Sequence, residues 1–212
     1  MVNGVASVGL TGSVGAGKST ALAAFADLGA RTLSADAVVH ALYASPEICA
    51  VLHARFGSAV VGCDGSVDRK ALAQRVLGDE EALRWLEALV HPRVGHEVRD
   101  FLRRSPVGSV VVCEVPLLVE AQMRPLFDIV VTVEAPVELR EARAGGRLGP
   151  FFPMLNARQA TPEQRAAVAD FIFVNDGPVE ALREFVALVF RNAKALLDRE
   201  LREMLRDDRR GW

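Results

Sequence analysis

A chain that carries Gly12-Ser13-Val14-Gly15-Ala16-Gly17-Lys18-Ser19 between an apolar run and an alanine-rich, helix-forming stretch has few folds open to it. The spacing G-x-x-x-x-G-K-S is that of a phosphate-binding loop, which demands a strand before it and a helix after it. Gly12, Gly15 and Gly17 allow the backbone to curl so that successive N–H groups, including that of Ala16, face an anion with no Cβ in the way. Lys18 is expected to reach the β- and γ-phosphates as a point charge, Ser19 to offer its hydroxyl to a magnesium ion, and Thr20 to add a hydroxyl near the α-phosphate. A glycine-rich turn that only caps a helix is the plain alternative. The legible strand and helix on either side favour a nucleotide.

Bulk properties agree with one α/β core of the size such a loop needs. Half of the 212 residues are hydrophobic, as a parallel sheet buried on both faces requires. A formal net charge of −2 offers no basic excess for nucleic acid or an anionic membrane. Cys49, Cys63 and Cys113 are odd in number and far apart, so neither a zinc site nor a disulfide framework is expected. With no signal-peptide pattern and no apolar window approaching ~20 residues, the expected compartment is the cytoplasm, with no membrane partner.

Along the chain, Val5 to Leu10 reads as the first strand, and Leu22, Phe25 and Leu28 as the apolar stripe of the following helix, which Gly29 stops. Arg31-Thr32-Leu33 is a short second strand, leading to Asp36 at the start of another helix. Ligands of open parallel sheets lie beyond the carboxyl ends of strands, so Asp36 is a candidate base for a substrate hydroxyl; capping a helix is an equal alternative. Residues from about Pro46 to Arg104 read as a helical insertion in which His91-Pro92 breaks and restarts the chain, His91 is a candidate substrate contact and Trp85 belongs to a core. Ser109 to Val115 returns to a strand whose last acid, Glu114, is placed to orient magnesium, with Glu120 a weaker candidate; a solvated strand-end carboxylate is the alternative. Asp128 to Val133 is the next strand, and Pro136 opens a helix bearing Arg140, Arg143 and Arg147, the last two on one face. Gly145 to Pro153 is expected to break regular structure as part of a mobile, arginine-bounded lid, against the alternative of an ordinary surface helix with a loose exit. Phe171 to Asn175 forms the last strand, Asn175-Asp176-Gly177 turns the chain, and a long amphipathic helix follows from Pro178, polar and frayed beyond Leu205.

These landmarks together resemble the dephospho-coenzyme A kinase family over almost the whole chain. The resemblance is carried by the glycine loop through Thr20, Ala35-Asp36, Asp64-Gly65-Ser66-Val67-Asp68-Arg69, His91-Pro92, Val115-Pro116-Leu117-Leu118-Val119-Glu120, Arg143 with Arg147, Gln159, Ala169-Asp170 and Asn175-Asp176-Gly177. It implies an α/β P-loop NTPase fold: a three-layer α/β/α core with a parallel sheet at 1–36 and 107–212, a helical acceptor-binding insertion at 37–106, and a short lid at 143–160. It implies a magnesium-dependent transfer from ATP to the ribose 3′-hydroxyl of dephospho-CoA, the last step of coenzyme A biosynthesis; separately, a monomer is expected. Asp36 falls on the catalytic aspartate, Arg143 and Arg147 on lid arginines near the transferred phosphate, and Asn175 and Gly177 on the loop beside adenine. Arg69, His91, Pro116 and Leu117 fall among acceptor contacts. The chain departs from the pattern at Ser34 and Glu114, where many relatives carry aspartate, and at Leu155, where they carry an arginine for which Arg158 is a substitute. Two other readings stay open: a P-loop kinase for a nucleoside, nucleotide or shikimate, and a nucleotide-binding regulatory module that no longer transfers.

Overall fold

The structure, a computed structural model, describes residues 4–149 and 151–208, the side chains of Arg147 and of residues 200–208 excepted. The chain divides into two compact units, one made of Met1–Ser34 with Val98–Trp212 and the other of Ala35–Glu97.

The first unit is built on strands β1 (Ala6–Gly12), β2 (Arg31–Ser34), β3 (Val110–Glu114), β4 (Ile129–Glu134) and β5 (Phe171–Val174), paired in the order β2-β3-β1-β4-β5. Every pairing is parallel. β1 and β3 are buried along their whole length, Ser7, Thr11 and Glu114 included, so neither strand has a solvent face. Helices α1 (Lys18–Asp27) and α9 (Val179–Asp208) share one core with β1, β3 and β4, the α9 stripe Leu182, Val186, Val189, Ala193 and Leu197 lying almost wholly out of water. Phe185 stacks on Phe173 of β5 at 4.8 Å. The α1 stripe is Ala21, Ala24 and Phe25; Leu28, expected on it, is 42% exposed because the helix has already ended. The polar stretch Arg206-Asp207-Asp208 continues α9 rather than fraying from it, and Arg209 and Arg210 lie outside the described residues.

On the opposite face of β1, a Cβ added to Gly9 would meet the Phe127 ring at 2.7 Å and Leu118 at 2.8 Å. Gly9→Ala is therefore expected to destabilise the fold by about 1–3 kcal/mol through overpacking, read as a lower midpoint of thermal unfolding.

The remaining helices of this unit are α6 (Val137–Leu148), α7 (Phe151–Arg158) and α8 (Pro162–Ala166), the last set by a Thr161–Gln164 capping box. They correct the expectation of irregular structure after Arg143. Gly145 and Gly146 are helical, and Phe151-Phe152-Pro153 opens α7. The reason is burial: Ala144 holds the end of α6 in the interior, and Phe152 is buried beneath the Arg140 guanidinium, 5.9 Å from its ring.

The second unit contains α2 (Ala35–Tyr43), α3 (Pro46–Phe56), α4 (Arg69–Leu77) and most of α5 (Glu80–Arg104). Ser45 and Asp68 cap α3 and α4 by accepting backbone N–H bonds. Trp85 is half-buried rather than a full core residue, meeting Phe56 edge-on at 5.6 Å with Arg55 5.7 Å from its own ring. The expected break at His91-Pro92 does not occur: α5 runs straight through Pro92. Its buried residues Leu83, Leu86, Val90, Val94, Val98 and Leu102 keep helical spacing across the proline, so packing outweighs the lost N–H bond. The Arg93 guanidinium donates to the Leu89 carbonyl at 2.8 Å, covering the turn that the proline disturbs.

Candidate active site

The phosphate loop leaves the carboxyl end of β1 and enters α1 at Lys18, with Gly17 in the left-handed region as the N-cap. Lys18 is buried, and its ammonium donates to the Gly12 and Ser13 carbonyls at 2.9 Å each. Ser19 and Thr20 are exposed, and neither hydroxyl has a hydrogen bond among the described residues. A buried ammonium beside two open hydroxyls on a helix N-terminus is a donor set for phosphate and a hard cation.

The glycines do more than clear space for an anion. A Cβ at Gly12 would lie 2.0 Å from the Val133 carbonyl oxygen, one at Gly15 2.7 Å from that of Arg140, and one at Gly17 2.4 Å from the Asn175 amide nitrogen. The loop is thus pressed between β4, α6 and the residue after β5. Asn175 is buried, and its side-chain amide donates to the Ala16 carbonyl at 2.8 Å. The Asn175 carbonyl in turn accepts from Arg143 at 3.0 Å. Three regions singled out in the sequence, the loop, Arg143 and Asn175, therefore form one chain of contacts. Gly177 is exposed, and the Arg147 side chain lies outside the described residues.

Glu114 ends β3 between Leu10 of β1 and Ser34 of β2 and is only 4% exposed, so it is not an ordinary solvated strand-end carboxylate. Pro116 and Leu117 follow half-buried, and the Pro116 carbonyl accepts from the Thr11 hydroxyl at 3.3 Å. Glu120 accepts the Ala160 N–H at 2.6 Å, so the weaker magnesium candidate holds backbone instead. The cysteines are free, and burial pushes the Cys113 thiol up to about 12, leaving it inert.

Asp36, Arg69 and His91 belong to the second unit. Asp36 is exposed in the first turn of α2 and has no side-chain hydrogen bond or ion pair among the described residues, so it does not cap that helix. Arg69 opens α4 and meets Nδ1 of His40 at 2.8 Å. Burial raises the Tyr43 phenol above its ordinary value while the charge of Arg69 draws it partly back. His91 is half-buried on α5.

One half-buried group escaped the sequence reading. Glu134, at the tip of β4, receives the Arg165 guanidinium through Nε at 2.5 Å and Nη2 at 2.9 Å, and the hydroxyls of Thr132 and Ser13 also donate to it. Burial pushes the Glu134 carboxyl up, but the bonds from Arg165 and Ser13, the Arg165 charge and the Thr132 bond outweigh it and hold the group below its ordinary 4.5. A folded-state value below the unfolded one adds stability that is fully present above pH ~4.5 and is lost as pH falls through the depressed value. The thermal midpoint is expected to fall with acidification in that window, and Glu134→Gln to start lower at pH 7 with a shallower acid slope. The available signal was the acid closing Ile129-Val130-Val131-Thr132-Val133, the same pattern that marked Glu114 in β3.

A parallel sheet ordered β2-β3-β1-β4-β5, with a lysine-bearing glycine loop after its central strand, defines a P-loop nucleotide-binding protein. The profile of the dephospho-CoA kinase family matches residues 6–181. A dephospho-CoA kinase from Thermobifida fusca is 37% identical over 195 residues, covering 90% of this chain and 97% of that one. Among solved structures, TT1252 from Thermus thermophilus superposes with a TM-score of 0.70 at 34% identity, covering 87% of this chain and 96% of its own. A shikimate kinase from Acinetobacter baumannii shares the fold at TM-score 0.51 and 17% identity, covering 97% and 96%. The chain belongs to the dephospho-CoA kinase family.

Proposed function

We infer that this chain is an ATP-dependent kinase that phosphorylates the ribose 3′-hydroxyl of dephospho-CoA, giving CoA and ADP in the final step of coenzyme A biosynthesis. The observation that carries the reading is the intact phosphate loop with its buried Lys18, in a chain matched to this family across residues 6–181. Lys18 and Arg143 stabilise negative charge on the transferring phosphoryl group, and Arg147 is an acceptor contact. Asp36 accepts the proton of the sugar hydroxyl as its oxygen attacks the γ-phosphorus and the bond to the ADP oxygen breaks. The reading is supported by β2 ending at Ser34, on the sheet edge from which the loop also leaves.

Gly12, Gly15, Ala16, Gly17, Ser19 and Thr20 hold the phosphates, and Gly177 lies beside the adenine. Asn175 acts on the nucleotide through the Ala16 peptide that it anchors. Ser19 and Glu114 would hold magnesium, the first directly and the second through water, since both offer the hard oxygen atoms that this ion selects. Magnesium held there would supply neutralisation of the charge on the phosphoryl oxygens. Arg69 and His91 are acceptor contacts, Pro116 and Leu117 are acceptor contacts as well, and residues 143–160 act as a lid that excludes water. The enzyme works as a cytoplasmic monomer and needs neither nucleic acid nor a membrane; no single described helix is long and apolar enough to cross one.

The test is to mix the protein with ATP, magnesium and dephospho-CoA and follow ADP. Release that depends on this acceptor, and not on shikimate or a nucleoside, is the expected result. Chelating the magnesium with EDTA is expected to stop it and excess magnesium to restore it. ATP binding without ADP release would make the chain a regulatory module instead.

A further inference from the structure

Two adjacent residues of the phosphate loop, Ser13 and Val14, are gripped from outside the loop by Glu134 at the tip of β4 and by side chains of the segment between β4 and β5. The Val14 N–H donates to the Gln159 side-chain oxygen at 2.7 Å, and the Val14 carbonyl accepts from Arg140 at 3.5 Å. The Ser13 hydroxyl accepts from Arg165 at 2.5 Å while donating to Glu134. Arg165, on α8, is 2% exposed, and its remaining Nη1 donates to the Ala160 carbonyl, one residue past Gln159. Arg140, on α6, is joined to α7 by a 2.5 Å bond to Asn156. No buried side-chain nitrogen or oxygen among the described residues lacks a hydrogen-bond partner, so this network is closed.

A buried ion pair is a poor way to gain stability, because apolar residues of like volume often serve as well or better. The Arg165–Glu134 pair instead fixes a direction: its bidentate geometry aims the Ser13 hydroxyl, and with it the first turn of the loop. We propose that Arg165 and Gln159 are positioning residues for ATP: they lock the Ser13–Val14 peptide, and through it the loop that cradles the phosphates, to the α6–α8 segment. Neither side chain has to touch the nucleotide. Their effect falls on the conformation in which the loop is already shaped for phosphates, so loss of either grip lowers the fraction of protein competent to bind.

The proposal rests on the kinase reading above and is tested alongside it. ADP binding to the full-length chain is measured by calorimetry, and KM for ATP and for dephospho-CoA by ADP release, in Arg165→Met, Gln159→Leu and the pair Glu134→Leu with Arg165→Met. Arg165→Met leaves the half-buried Glu134 without its cation, so its thermal midpoint falls; the pair, with both charges gone, recovers most of that loss. The expected result is a rise of at least ~10-fold in the ADP dissociation constant and KM for ATP in both Arg165 variants, and ~5-fold in Gln159→Leu, with KM for dephospho-CoA changed less than ~2-fold. Persistence of the ATP defect in the restabilised pair separates positioning from stability. Unchanged ATP parameters in Gln159→Leu and in the pair would overturn the proposal, and Gln159→Leu, which strands no charge, decides alone should the Arg165 variants not fold. A wild-type protein that binds no ADP would instead overturn the kinase reading.

Discussion

Lys18→Ala is expected to abolish turnover, lowering the rate of ADP release by at least ~1,000-fold with saturating ATP, magnesium and dephospho-CoA. The Lys18 ammonium is the buried cation of the loop, held by the Gly12 and Ser13 carbonyls on the helix that points its positive end at the nucleotide. Charge that develops on the phosphoryl oxygens in the transition state meets a donor that is already desolvated and oriented, the condition under which one donor is worth several kcal/mol. Lys18→Arg is expected to rescue little, because a planar fork cannot replace a compact ammonium seated on two carbonyls from adjacent residues. The fold should survive Lys18→Ala, since the substitution removes a buried charge together with its bonds and leaves the α1 contacts of Ala21, Ala24 and Phe25 intact. Rate and circular dichroism measured on the same preparation check both halves: a folded variant within ~10-fold of wild type would contradict the role given to Lys18.

The parts of this architecture that were legible in the sequence are those fixed by local rules. The loop declares itself because its glycines, lysine and serine must occupy fixed positions between strand and helix, and α9 because one apolar stripe repeats at helical spacing down its length. Local rules also explain the errors. Pro92 is a helix breaker by its chemistry, yet the buried residues Val90, Val94 and Val98 carry α5 past it through contacts that no window of sequence reveals. Gly145-Gly146 reads as a break, yet the pair lies within α6 beside buried Ala144. The partnership of Ser13, Glu134 and Arg165, as distinct from the strand-end position of Glu134, was illegible for a different reason. Its members come from the loop, a strand tip and a five-residue helix, and each taken alone is an ordinary polar residue. The pairing of β1 with β4, which sets Gly12 beside Val133, brings Ser13 to Glu134, and α8 adds Arg165 from outside both strands.

Asp36→Asn is expected to lower kcat by at least ~100-fold while leaving KM for dephospho-CoA within a few-fold of wild type. The amide matches the carboxylate in size and still offers a hydrogen bond to the sugar hydroxyl, but it cannot take up the proton. Loss of rate without loss of binding is therefore the signature of a base. The competing explanation is that Asp36 serves α2, and the structure makes that effect small: the side chain is exposed, and it hydrogen-bonds no backbone N–H among the described residues. What remains is its attraction to the helix N-terminus, worth about 0.3–1 kcal/mol at an exposed position, and the amide loses no more than that. Thermal unfolding of Asp36→Asn should accordingly stay close to wild type while single-turnover phosphoryl transfer collapses. If transfer is slow and product release is not, the missing step is chemical, and Asp36→Ala should be no faster. A variant that unfolds early but transfers at a normal rate would assign Asp36 to α2 and leave the proton of the acceptor hydroxyl to another group.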